Sequence, residues 1–111
     1  MQELSFKVQG SASDPYDVNF VKQTDTNLSA YCSCPAGVKG QYCKHRFNIL
    51  DGLTKGIVSE NLDDVRIIQS WLAETDLEIA LNKMREIEAE EAKIKKELSV
   101  AKKVVAKTMC V

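Results

Sequence analysis

No apolar run in this chain approaches the ~18 residues that a membrane-spanning helix requires. The opening stretch MQELSFKVQG lacks the charged segment followed by an apolar one that marks a secretory leader. The formal net charge is only -1, so there is no global pull towards nucleic acid, although a local basic patch remains open. No G-x-x-x-x-G-K-[ST] phosphate loop occurs, and no H-x-E followed by P-C-x-x-C. Internal repeats, low-complexity segments and Pro-rich linkers are also missing. The expected compartment is therefore the cytoplasm, or the nucleus of a eukaryote. In such reducing surroundings, clustered cysteines point to metal binding or catalysis before disulfides.

Histidine and cysteine are scarce, and nearly all of both falls in one place. The stretch YCSCPAGVKGQYCKHRF, residues 31–47, holds three of the four cysteines and the only histidine. Cys32, Cys34, Cys43 and His45 form C-x-C, a spacer, then C-x-H. Two close pairs of N/S ligands are what a tetrahedral structural zinc requires, each pair clamping one side of the ion. The spacer PAGVKGQY supplies Pro35, Gly37 and Gly40, which let the chain turn and bring the pairs together. Three thiolates, one neutral imidazole and Zn2+ sum to -1, and Lys39, Lys44 and Arg46 lie nearby in sequence to offset that charge. If Cys43 opens a helix, the amides there also favour its thiolate. Other readings are buried apolar cysteines beside a surface histidine, a disulfide, or a catalytic Cys/His pair. Pairing and the glycine-rich spacer weigh against the first. No orienting carboxylate lies close in sequence to support the last.

The residues ahead of this stretch read as strands. Leu4, Phe6 and Val8 alternate with polar neighbours, as do Tyr16, Val18 and Phe20, and Leu28–Tyr31 leads into Cys32. The expectation is a three-stranded antiparallel meander. Beyond Cys43 the period changes. Phe47, Leu50, Leu53 and Ile57 recur at helical spacing and predict a helix from Lys44 to about Thr54, ended by Gly52 and Gly56. Val65, Ile68 and Leu72 form the apolar face of a second helix, capped by Ser59 or Asn61. Thr75-Asp-Leu-Glu78 resembles a capping box opening a long helix over roughly 76–107.

That long helix carries heptads. Leu77, Met84, Glu91, Leu98 and Val105 fall at one core position, and Ala80, Ile87, Ile94 and Ala101 at the other, with Glu91 the polar intruder. Lys83, Glu90 and Glu97 occupy g positions, and Glu88, Lys95 and Lys102 occupy e positions. In a parallel pair, Lys83–Glu88, Glu90–Lys95 and Glu97–Lys102 are all opposite in sign. Charge alone leaves an antiparallel pair open, because residues 60–91 carry ten acidic and three basic residues while 92–111 carry six lysines and one glutamate. The apolar stripe at Leu77, Met84, Ile87, Ile94, Leu98 and Val105 makes a homo-oligomer, a dimer, the expected state. The alternative is a monomer in which this helix packs on residues 61–74.

Cys32-Ser-Cys34-Pro35-Ala36-Gly37, then Cys43-Lys44-His45, then Ile49-Leu50, resembles the SWIM zinc finger, whose pattern is C-x-C, a variable spacer and C-x-H. The resemblance covers roughly residues 4–55. It implies a compact ββα-type zinc fold with those four residues as ligands of one structural Zn2+. It also implies a DNA-binding or protein-interaction role. The chain has no room for the ATPase or nuclease domains that accompany such fingers elsewhere, so no enzymatic role is expected.

The combined expectation is an α+β chain. A zinc finger over residues 1–58 combines a small three-stranded antiparallel sheet with a helix. A helical tail over 59–111 ends in one long helix. Lys39, Lys44, Arg46 and Lys55 give the finger a basic bias, and Tyr31, Tyr42 and Phe47 interleave aromatics, which is the pattern of a nucleic-acid surface. The alternative is that the aromatics pack around the zinc, which is the better reading for Phe47, and that the basic residues keep the surface soluble, which explains Lys39, Lys44 and Arg46 equally well. The functional expectation is a zinc-binding, non-enzymatic nucleic-acid-binding or regulatory protein. The alternative is a protein-interaction adaptor or inhibitor acting through finger and tail, with no membrane partner.

Overall fold

The computed structural model describes residues 1–110. Three strands, β1 (Gln2–Val8), β2 (Tyr16–Thr24) and β3 (Asn27–Cys32), form an antiparallel sheet in the order β1-β2-β3. The alternation in sequence sets one buried face. Phe6 pairs with Val18, and Val18 with Cys32, so these side chains share a face, and Val8, Phe20 and Leu28 are buried with them. Phe6 and Phe20 meet edge to face, with ring centroids 6.0 Å apart. Cys32 thus lies on the core side of its strand because it has the parity of Leu28.

Four helices follow. α1 (Pro35–Val38) is a single turn that replaces the loop expected between the cysteine pairs. α2 (Lys44–Leu50) buries His45, Ile49 and Leu50. It stops four residues short of the expected end at Thr54, because Gly52 takes a φ of 83° that the helix cannot continue through. Leu53 is consequently exposed and Phe47 only half-buried. A short 3-10 helix, Leu62–Asp64, leads into α3 (Val65–Leu72). The predicted face of α3, Val65, Ile68 and Leu72, is the face that is buried.

α4 (Asp76–Met109) begins as the capping-box spacing predicts. Thr75 Oγ1 accepts from the Glu78 amide at 3.2 Å and donates to the Leu72 carbonyl at 2.6 Å. Glu78 Oε1 accepts from the Glu74 amide rather than from that of Thr75, closing a turn in which Glu74 has a φ of 66°.

The chain divides into two compact units, Met1–Glu78 and a second that begins at Ile79. The expected boundary at 58/59 therefore differs from the division between units. α3 packs on α2, and the Lys22 ammonium donates to the Trp71 carbonyl at 2.7 Å, so residues 59–78 fall in the same unit as the sheet. The segment after α2 also returns to the sheet. The Gln9 amide donates to the Gly56 carbonyl at 2.7 Å, and the Val58 amide to the Lys7 carbonyl at 2.8 Å. The Lys7 amide donates to Ser59 Oγ at 3.2 Å, and Asn61 Nδ2 to the Ser5 carbonyl at 2.8 Å. Together these bonds cover the outer edge of β1 from Ser5 onwards.

In the second unit the helix keeps its apolar stripe in the open. Ile87, Ile94, Leu98 and Val105 are 51%, 63%, 52% and 53% exposed. No described helix is long and apolar enough to cross a membrane.

Candidate metal centre

The end of β3 delivers Cys32, and three short devices bring the remaining ligands to it. Cys34 caps α1, its Sγ accepting from the Gly37 amide at 3.2 Å, with Pro35 fixing the first turn. The Cys34 amide in turn donates to Cys32 Sγ at 3.5 Å. Gly40, at a φ of 70°, turns the chain back. Cys43 stands at the N-cap of α2, and His45 lies in its first turn. All four side chains are buried, and their ligand atoms lie within 4.8 Å of one another.

The edges of this cluster test whether a metal fits. Tetrahedral bonds of ~2.3 Å to sulfur and ~2.05 Å to nitrogen set S···S edges near ~3.8 Å and S···N edges near ~3.6 Å. The Cys34–Cys43 Sγ separation is 3.4 Å, and His45 Nδ1 lies 3.7 Å from Cys32 Sγ and 3.6 Å from Cys43 Sγ. Three thiols and one imidazole, with no carboxylate among them, can hold one metal ion.

Protonation states differ among these ligands. Burial, with the neighbouring thiols adding to it, pushes the Cys32 thiol up to about 12. Burial also pulls on Cys43, but hydrogen bonds from the Arg46 amide, the Cys34 and Cys32 thiols and the His45 amide outweigh it and hold that thiol below its usual value. His45 is held below the usual imidazole range by burial and by the Lys44 charge, which keeps its ring neutral and free to ligate. Its Nε2 is buried without a hydrogen-bond partner. Tyr16 packs on the ring with centroids 5.1 Å apart.

Two residues shape the centre in ways their spacing in sequence does not announce. A Cβ on Gly37 would stand 2.5 Å from the Cys32 carbonyl oxygen and 2.7 Å from its Cβ, so the glycine is there for close approach and not only for turning. The Arg46 guanidinium donates to the carbonyls of Ala30 at 3.1 Å and Gln41 at 2.6 Å, tying α2 to β3 and to the spacer.

Of the four expected basic contacts, Arg46 is thus half-buried and already engaged, whereas Lys39, Lys44 and Lys55 are exposed. Lys44 borders a cleft of about 380 Å³ beside the metal ligands, together with Tyr16, Pro35 and Tyr42. Lys39 and Lys55 do not line it. Tyr42 is exposed and meets Phe47 edge to face at 4.5 Å. Of the stripe residues, Leu77 lines a second cleft of about 280 Å³ in the first unit with Leu28, Phe47 and Leu50, and Met84 is half-buried.

No protein-family model matches this chain, and no curated protein and no solved structure matches it.

Proposed function

We propose that the chain is a zinc-dependent, non-enzymatic binding module that contacts nucleic acid through the face of the finger around Lys44. The observation that carries the metal half of this reading is the buried cluster of Cys32, Cys34, Cys43 and His45, whose edges suit a zinc-sized tetrahedral ion. Zinc bound there joins β3, α1 and α2 at one point. The protein fills all four positions, which leaves none for a reacting water. The C-x-C and C-x-H pairs with their PAG context give the finger its SWIM-like character.

The nucleic-acid half rests on Lys44 and Tyr42. A cation and an exposed ring border one cleft, a combination suited to a phosphate and a stacked base. Lys39 extends the positive character along the spacer. Arg46 is not part of this surface, since backbone carbonyls occupy its guanidinium.

The test is binding of the zinc-loaded protein to single- and double-stranded DNA and to RNA over a salt series, with Lys39→Glu/Lys44→Glu and Tyr42→Ala as variants. Salt-sensitive binding that both variants weaken supports the reading. Absence of binding at low salt overturns it in favour of an adaptor. The adaptor reading has its own support in Leu53, Val58, Leu62 and Ile67, apolar side chains that the first unit leaves exposed.

A further inference from the structure

The stripe on α4 carries an inference independent of what the finger binds. From Met84 to Val105 the helix is unbroken, about 33 Å at ~1.5 Å per residue. Ile87, Ile94, Leu98 and Val105 are more than half exposed at a/d spacing, and no other described strand or helix lies in the second unit. An a/d seam of this kind is complete only against another helix.

We propose that the occupant is α4 of a second copy, in a parallel, in-register two-stranded coiled coil. Charge complementarity at the g and e positions favours it over the antiparallel pair that the acidic and basic halves leave open. In register, Lys83, Glu90 and Glu97 at g meet Glu88, Lys95 and Lys102 at e of the partner, opposite in sign at every step. An antiparallel pair centred on residues 91–94 sets e against e, where Glu88 meets Lys95 or Lys102, but also g against g, where Glu90 meets Glu90 or Glu97, a like-charged contact that the parallel register lacks. Glu91 is the one charged a position in the parallel seam. Its carboxylate already pairs with its own Lys95 at 2.8 Å, so each copy brings a partnered Glu91 to that layer. A single polar a layer of this kind costs stability and fixes register.

The experiment uses the full zinc-loaded chain. Sedimentation equilibrium across a dilution series reads the mass, and the emission of Trp71, which lies in α3, reports that the first unit remains folded. The expected mass is that of a dimer, and Ile87→Asp/Ile94→Asp reduces affinity at least about a hundredfold with unchanged Trp71 emission. A monomer throughout the series overturns the proposal, as does a dimer indifferent to that double substitution.

Two further readouts test the pairing, the second of them its orientation. Glu90→Lys/Glu97→Lys and Lys95→Glu/Lys102→Glu each weaken self-association, and mixing the two variants restores it as a heterodimer. Ala101→Cys, in a Cys110→Ser background, cross-links between copies in a glutathione redox buffer. Failure of the mixed pair to form, or of the 101 positions to cross-link while a dimer persists, overturns the parallel arrangement.

Discussion

Gly37 lies flush against Cys32: a Cβ added to the glycine would stand 2.5 Å from the cysteine's carbonyl oxygen. The one-turn helix α1 is thereby pressed onto the end of β3, and within that turn the Gly37 amide donates to Cys34 Sγ. Gly37→Ala is expected to destabilise the finger by about 1–3 kcal/mol through overpacking, and to weaken metal affinity with it. Thermal unfolding of the metal-loaded variant and a competition titration with a chelating dye measure the two effects. Unchanged affinity would separate the close packing from the metal centre.

Removing a ligand should act on folding as well as on binding. Cys34→Ser and His45→Ala are each expected to lower bound zinc from one equivalent to none under a mild chelator, read by elemental analysis. The sole tryptophan, Trp71, sits half-buried in α3 on the same core, so its emission should shift to the red when metal is stripped from the unaltered chain. Metal loss without that shift would show a core that stands without the ion.

The thiol at Cys32 predicts opposite pH behaviour with and without metal. Burial raises it from 9.0 to about 12 in the metal-free fold, so the folded state holds a proton that the unfolded chain gives up sooner. The stabilisation is present below 9.0 and is lost as pH rises towards about 12. Metal-free protein should therefore lose stability across that window in denaturant titrations. Metal affinity should rise with pH over the lower range, because binding displaces the Cys32 proton, and calorimetry in buffers of different ionisation enthalpy should detect its release.

Arg46 and Lys44 are neighbours in sequence with separate work. Arg46→Ala removes donors from the Ala30 and Gln41 carbonyls and is expected to cost about 1–3 kcal/mol of finger stability. Lys44→Ala, at an exposed position, should stay within ~0.5 kcal/mol. Denaturant midpoints of the two variants compare them directly. Loss of nucleic-acid binding in an Arg46 variant would report on folding, whereas loss in a Lys44 variant would report on contact.

Much of this architecture is written in local patterns. Alternation at Phe6/Val8 and Val18/Phe20 set the buried face of the sheet, and Val65, Ile68 and Leu72 set that of α3. The C-x-C and C-x-H pairs placed the four residues that the fold brings together. What escaped was set by distant partners. α1 is too short for periodicity to register. The close approach of Gly37 depends on where β3 ends, and the role of Arg46 depends on a carbonyl sixteen residues away. The extension of the first unit to Glu78 comes from packing between α2 and α3, which no single segment displays.

Residues 56–61, which run along β1 through four hydrogen bonds, also bear on how copies of this chain behave in company. An uncovered outer strand offers its free amides and carbonyls to any passing strand, and sheets that grow this way end as aggregates. Here the polypeptide covers that border from Ser5 to Gln9 with its own downstream segment. Strand addition is thereby blocked along the covered part of β1, so the same segment that completes the sheet also guards it against open-ended growth.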